Sequence, residues 1–148
     1  MVKLKFVDVE TPYMGSNENE VKRNLLYARA CVRDCIINHN EIPFASHLFF
    51  TQPGILDDNI LSERELGINI GKELIESLPE ITTVVYTDLE ISRGMKIGID
   101  RANLNRRNVV YRKLGADWEL KEIDVAIKHS HAAVWGVIKP KGLYTSDI

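Results

Sequence analysis

The chain has 148 residues, 45% of them hydrophobic and 27% charged, with 19 basic against 21 acidic side chains and two cysteines. That length suits one domain whose core needs no covalent staple. The composition excludes a disulfide scaffold, an apolar span of about 18 residues for a membrane and a basic surface for polymeric nucleic acid. The short, soon acidic start does not read as a signal peptide, so a cytoplasmic globular protein is expected.

Lys3 to Val9 alternates polar and apolar residues and then turns apolar, a strand pattern. Turn formers follow from Glu10 to Asn17, and Asn17 with Glu20 resembles a capping box. Val21, Leu25, Ala28, Val32 and Ile36 predict a core-facing helix stripe that stops at Asn38-His-Asn40. Cys31 and Cys35, spaced i, i+4 on that helix, read as small buried hydrophobes. Ile42-Pro-Phe-Ala45 predicts a second strand, with Pro43 favouring an edge position. Ser46 to Asn59 reads as a long loop.

Ser62-Glu-Arg-Glu65 fits a capping box, and Leu66, Ile70, Leu74 and Leu78 predict the inner stripe of a second helix. Gly67 and Gly71 lie on the neighbouring stripe, where small residues permit close helix–sheet approach. Ile81 to Tyr86 is the strongest strand pattern. Ser92 caps a third helix with Met95, Ile99 and Ala102 inward, and Val109 to Tyr111 predicts a fourth strand. This alternation predicts an α/β fold, a small parallel sheet with helices on its faces and right-handed crossovers. From Trp118 to Ile138 the apolar pattern fits either a helix or strands.

Ligands of open α/β sheets bind beyond the carboxyl ends of the strands. The segments there are Thr11 to Ser16, Ser46 to Asp58 and Thr87 to Gly94, expected to meet along one rim. Gly15-Ser16, with Arg23 two turns on, and Ser92-Arg93-Gly94 each precede a helix, where free amides and an arginine suit a phosphate; a capping serine beside a solvated arginine is the plainer reading. His47 reads either as a buried, hydrogen-bonded histidine or as a ligand contact. Asp57 and Asp58 read as a solvated turn pair, a base or a ribose contact. Tyr13, Phe49 and Phe50 read as core or as stacking surfaces for a base. His129 and His131 would share one side of a strand, but with no third ligand evident no metal site is assigned.

The first strand, Pro12-Tyr13, Arg23-Asn24, Ile42-Pro-Phe-Ala-Ser-His47 and the segment Asp88, Ser92, Gly94 to Ala102 resemble the nucleoside 2-deoxyribosyltransferase-like superfamily. From Tyr27 to Arg112 the chain is closer to a bacterial and phage relative of that superfamily. The motifs there are Pro43-Phe-Ala-Ser-His47, Thr51-Gln-Pro-Gly54, Leu56-Asp-Asp58, Glu63-Arg-Glu-Leu-Gly67 and Tyr86 to Met95. The resemblance implies a Rossmann-like sheet with helices on both faces over residues 1–114; residues 115–148 fall outside it and read as an extension for packing or oligomerisation. It also implies a nucleoside or nucleotide ligand and assembly into homo-oligomers. Enzymes of the superfamily cleave N-glycosidic bonds with a glutamate on the helix after strand three. The matching position, four residues past Gly94 and four before Ala102, is Gly98, and glycine cannot serve as a nucleophile.

Three functions compete. The favoured one is binding of a small phosphorylated nucleoside-type ligand without cleavage, as phage anti-defence proteins do when they sequester a signalling nucleotide. Its expected contacts are Tyr13, Gly15, Ser16, Arg23, His47, Asp88, Ser92, Arg93 and Gly94, with no cofactor. The alternative is an N-glycosidase or deoxyribosyltransferase on nucleoside monophosphates in which Asp88 or Glu90 supplies the carboxylate. The third is an interaction protein anchored by Trp118 and Trp135.

Overall fold

The computed structural model describes residues 3–78 and 80–119. The chain divides into two compact units, Met1–Gly115 and Ala116–Ile148. The first unit runs β1 (Lys5–Glu10), α1 (Glu18–His39), β2 (Glu41–Phe44), α2 (Ser46–Phe50), α3 (Leu61–Glu76), β3 (Thr82–Tyr86), α4 (Arg93–Leu104) and β4 (Val109–Arg112). The four strands form one parallel sheet in the order β2-β1-β3-β4. This is the small α/β, Rossmann-like arrangement expected. The first crossover runs one way from β1 and the later ones run the other way, so right-handed connections put α1 on one face and α3 and α4 on the opposite face. β2, which carries Pro43, is an edge strand, as predicted.

Asn17 Oδ1 accepts the amide of Glu20 at 3.0 Å, and Asn40 ends α1 in the left-handed conformation with φ 53°. The buried stripe of α1 is Tyr27, Ala28, Cys31 and Cys35. The predicted stripe was one position out of phase at its end: Ile36 is 48% exposed. Tyr27 joins the buried stripe because its hydroxyl finds a partner in Asp88.

Two further expectations are corrected on the other face. The stretch after β2 begins with a short helix, α2, rather than an open loop. Helix α3 starts at Leu61, one residue before Ser62, and its N-cap, Ile60, makes no side-chain cap bond. Its inner stripe is Gly67, Gly71 and Ile75, while Leu66, Ile70 and Leu74 are 41–49% exposed. The glycines meet α2 and the following loop rather than the sheet. A Cβ at position 71 would stand 3.1 Å from Ser46 Cβ, and one at position 67 would stand 3.2 Å from Leu56 Cδ1. Close approach of two helices took precedence over the burial of three leucine-class side chains.

Beneath α4 the core is Val85, Met95 and Ile99, with Ile91 and Val109 packed around it. Ser92 caps α4 by accepting the amide of Met95 at 3.3 Å. Beneath α1, polar contacts join the apolar packing of Val7, Val9, Ala28, Cys31 and Cys35. Tyr86 Oη donates to Asp34 at 2.7 Å and lies 3.3 Å from Cys35 Sγ. Arg112 holds Glu41 through two bonds of 2.7 Å, and the pair is 16% and 12% exposed. Burial works to raise the Glu41 carboxyl, and Arg112 outweighs it and holds the group below its ordinary value.

Of the ambiguous stretch 118–138, only Trp118, which is buried, and Glu119 are described. His129, His131 and Trp135 lie outside the described residues. No helix among the described residues is long and apolar enough to cross a membrane.

The Arg112–Glu41 pair ties the two outermost strands across the carboxyl side of α1. Arg112→Met leaves a largely buried carboxylate without its partner. The expected loss is about 2–3 kcal/mol of unfolding free energy, discounted for the partial exposure of the pair, read from urea unfolding curves.

Candidate functional site

A cleft of about 640 Å³ opens between α3 and α4 over β1. Its rim carries Thr11, Tyr13 and Met14 after β1, Ser46 and His47 after β2, and Ser92, Arg93 and Gly94 after β3. The three segments expected beyond the strand ends therefore do meet. The crossover directions diverge between β1 and β3, which is where an open sheet leaves its crevice.

At the rim, His47 Nε2 lies 2.7 Å from Thr11 Oγ1. Burial lowers the His47 pKa to about 4, so the ring is neutral at pH 7. It is at once a half-buried, hydrogen-bonded histidine and a wall of the cleft. Tyr13 stands with its ring 6.0 Å from that of His47. Asn24 braces the loop behind Tyr13 by donating to the carbonyls of Tyr13 and Met14 at 3.1 Å each. Ser92, Arg93 and Gly94 present a hydroxyl, a guanidinium and open backbone where α4 begins.

Other expected residues lie elsewhere. Gly15, Ser16, Arg23, Asp88 and Glu90 are not among the described residues lining the cleft. The amide of Ser16 is taken by Glu20 at 2.5 Å. Asp88 is a clamp within the fold. Its carboxylate accepts from Tyr27 Oη at 2.6 Å and from the amides of Leu114 and Gly115 at 2.9 Å each. Burial works to raise its pKa, but the Tyr27 hydroxyl and these amides hold it below the ordinary value. Phe50 and Asp58 line the cleft, whereas Phe49 is 55% exposed. Asp57 Oδ1 accepts the amide of Asn59 at 2.9 Å in a local turn.

The floor holds residues that pattern reading passed over. β1 reads Lys5-Phe-Val-Asp-Val-Glu10, and Val7 and Val9 face α1. The alternate residues Asp8 and Glu10 therefore point into the cleft, and both line it. Burial lifts the Asp8 pKa to about 6 against the pull of Arg107 and Arg101. Burial and then the Asp8 charge lift Glu10 to about 8, against the same two arginines. The signal was present: a central parallel strand is covered on both sides and is normally apolar throughout, so an acid at every second position marks a covered but unfilled face.

Glu10 also accounts for Gly98. An ideal Cβ at position 98 would stand 2.6 Å from Glu10 Cδ and closer still to Oε1. The space that a side chain of α4 would occupy there is held by a carboxylate from β1. Among the described residues, no three His, Cys, Asp or Glu side chains gather as a metal ion would require.

The molecule is thus a four-stranded parallel α/β protein with a cleft whose rim carries Ser92, Arg93 and Gly94 and whose floor is acidic and flanked by arginines. The chain belongs to the family described as a domain of unknown function (DUF7768), whose model matches residues 5–112. No curated protein and no solved structure matches it.

Two outcomes follow from the floor. The folded state holds the Glu10 proton up to about pH 8, whereas an unfolded chain releases it near pH 4.3. Over that interval the folded state binds more protons, so stability falls as pH rises and levels off above pH 8. His47 acts in the opposite sense, but only below its unfolded pKa of about 6.5. Between pH 6.5 and 8 the fall in melting temperature should therefore follow Glu10, and Glu10→Gln should abolish most of it.

Gly98→Ala meets only the far end of a flexible side chain and improves helix propensity by about 1 kcal/mol. It should fold at least as stably as wild type at pH 7, yet lose the pH dependence, because the Glu10 carboxyl is pushed out toward solvent. Thermal melts at pH 6.5 and 8 read both variants.

Proposed function

We propose that the cleft binds a nucleotide or a nucleotide-derived small molecule and holds it without cleaving it. The observation that carries this reading is the shape of the charge along the cleft. An α-helix N-terminus with Ser92, Arg93 and Gly94 stands at one end, suited to a phosphate. A floor of buried acids and arginines stands at the other, suited to a polar group that is not an anion. A phosphorylated ribosyl compound has this polarity. The resemblance to nucleoside 2-deoxyribosyltransferase-like proteins supports the same ligand class. With Gly98 in place of a nucleophile, and with Glu10 retaining its proton near neutral pH, the reading is retention rather than attack. Such a cytoplasmic protein, acting as a homo-oligomer, withdraws its ligand from other receptors. A phage protein that sequesters a signalling nucleotide during host defence is one setting for it.

A second reading rests on the contact between Glu10 and Gly98. A carboxylate does stand at position 98 of α4, supplied by β1. In this reading Glu10, rather than Asp88 or Glu90, supplies the carboxylate of an N-glycosidase on nucleoside monophosphates, most active above pH 8 where it is ionised.

Native mass spectrometry of the purified full chain, followed by denaturation and analysis of what is released, separates the two. An intact nucleotide recovered in stoichiometric amount, with no base released from a panel of nucleoside monophosphates at pH 7 to 9, is the expected result. Free base and ribose phosphate, lost in Glu10→Gln, would establish the second reading instead. No retained ligand and no binding of any nucleotide in the panel would overturn both.

A further inference from the structure

Among the described residues, three buried side-chain atoms have no hydrogen-bond partner: Thr83 Oγ1, Arg107 Nε and Arg107 Nη1. All belong to one place. Thr83 is paired with Asp8 across β1 and β3, and its hydroxyl lies close enough to the Asp8 carboxyl to lower that group's pKa. Arg107 lines the cleft beside Asp8 and Arg101. Buried polar groups in folded proteins are nearly always satisfied, and a cluster of exceptions calls for an absent partner. Arg107 offers only donors, and an ionised Asp8 offers only acceptors. A phosphate there would satisfy the arginine but face two buried acids. An ammonium would satisfy the acids and leave the arginine unpaired. A group that carries an acceptor beside a donor on one planar edge satisfies both.

Distance along α4 places this group on the ligand. Gly94 at the rim and Arg101 at the floor are seven residues apart, about 10 Å of helix, and both line the same cleft. A phosphate at Gly94 puts the adjoining sugar beside Gly98 and Glu10, and the far end of the molecule against Asp8 and Arg107. We infer, resting on the nucleotide-binding reading above, that the deep end of the cleft is a base-recognition subsite in which Asp8 and Arg107, both lining it, take the hydrogen-bonding edge of a nucleobase, with Thr83 buried behind Asp8.

Calorimetric titration of the full chain with adenosine monophosphate, guanosine monophosphate and ribose 5-phosphate tests this directly. Asp8→Asn and Arg107→Gln should each weaken the tighter-binding nucleotide by about tenfold or more while changing ribose 5-phosphate less than about twofold. Arg93→Gln should weaken all three together. Arg107→Lys, which keeps the charge but not the planar fork, serves if either floor variant fails to fold, and should weaken the nucleotide alone. Equal effects of the floor variants on nucleotide and ribose 5-phosphate, or no effect on either, would overturn the subsite and leave nucleotide binding standing. Failure of wild type to bind any of the three would overturn both.

Discussion

The central strand of this sheet is covered on both faces, and on one of them it points carboxylates at its cover. That constraint organises the α3/α4 side of the molecule. The end of the Glu10 side chain fills the space a Cβ would take, and α4 passes over it at Gly98. The two acids also cannot be sealed under apolar residues without large desolvation cost. Accordingly α3 does not close down on β1. It leans on α2 through Gly67 and Gly71, leaves Leu66, Ile70 and Leu74 facing outward, and leaves a cleft of about 640 Å³ where a close-packed α/β protein would have core.

The opposite side supplies the rigidity that an open cleft lacks. Val7 and Val9 are buried there, and side-chain hydrogen bonds fasten the strands to α1 and to one another. Tyr27 and Asp88 hold the end of β3 and the backbone at Leu114 and Gly115. Tyr86, Asp34 and Cys35 hold the strand to α1, and Arg112 with Glu41 links the two edge strands. Asp88 is therefore the residue that holds the end of β3 beside the rim without lining the cleft. Ser92 begins α4 only four residues later, so the position of the anion-suited end of the cleft depends on this clamp.

How much of this was legible in the sequence differs by level. Strand patterns, the Asn17 and Ser92 caps, the edge role of Pro43 and the inward stripe Met95, Ile99, Ala102 follow local rules, and local rules were sufficient for the parallel α/β class but not for the strand order. Two helix faces were misjudged for physical reasons that operate at a distance. In α3, burial went to glycines because a neighbouring helix needed their missing side chains. In α1, it went to Tyr27 because its hydroxyl had Asp88 to bond. At the site, the rim was legible because it lies where strand-end loops converge, as Thr11, His47 and Ser92 do. The floor was not, since Asp8 and Glu10 look like the solvent-facing half of an ordinary alternating strand. Only the topology, which puts β1 between two neighbours with helices on both sides, turns that alternation into an anomaly.

The charge of the floor then bears on what the cleft admits. The chain as a whole carries a formal charge of −2, and two acids at the centre of a cleft suggest a site hostile to anions. Burial reverses that expectation. With Glu10 retaining its proton to about pH 8, the ionised groups deep in the cleft near neutral pH are Asp8 against Arg101 and Arg107, an excess of positive charge. Arg93 adds to it at the rim. The same desolvation that makes the acids costly to bury thus removes one negative charge from the path of a phosphorylated ligand. It leaves a neutral carboxyl, able to donate as well as accept, beside the place where a sugar would lie.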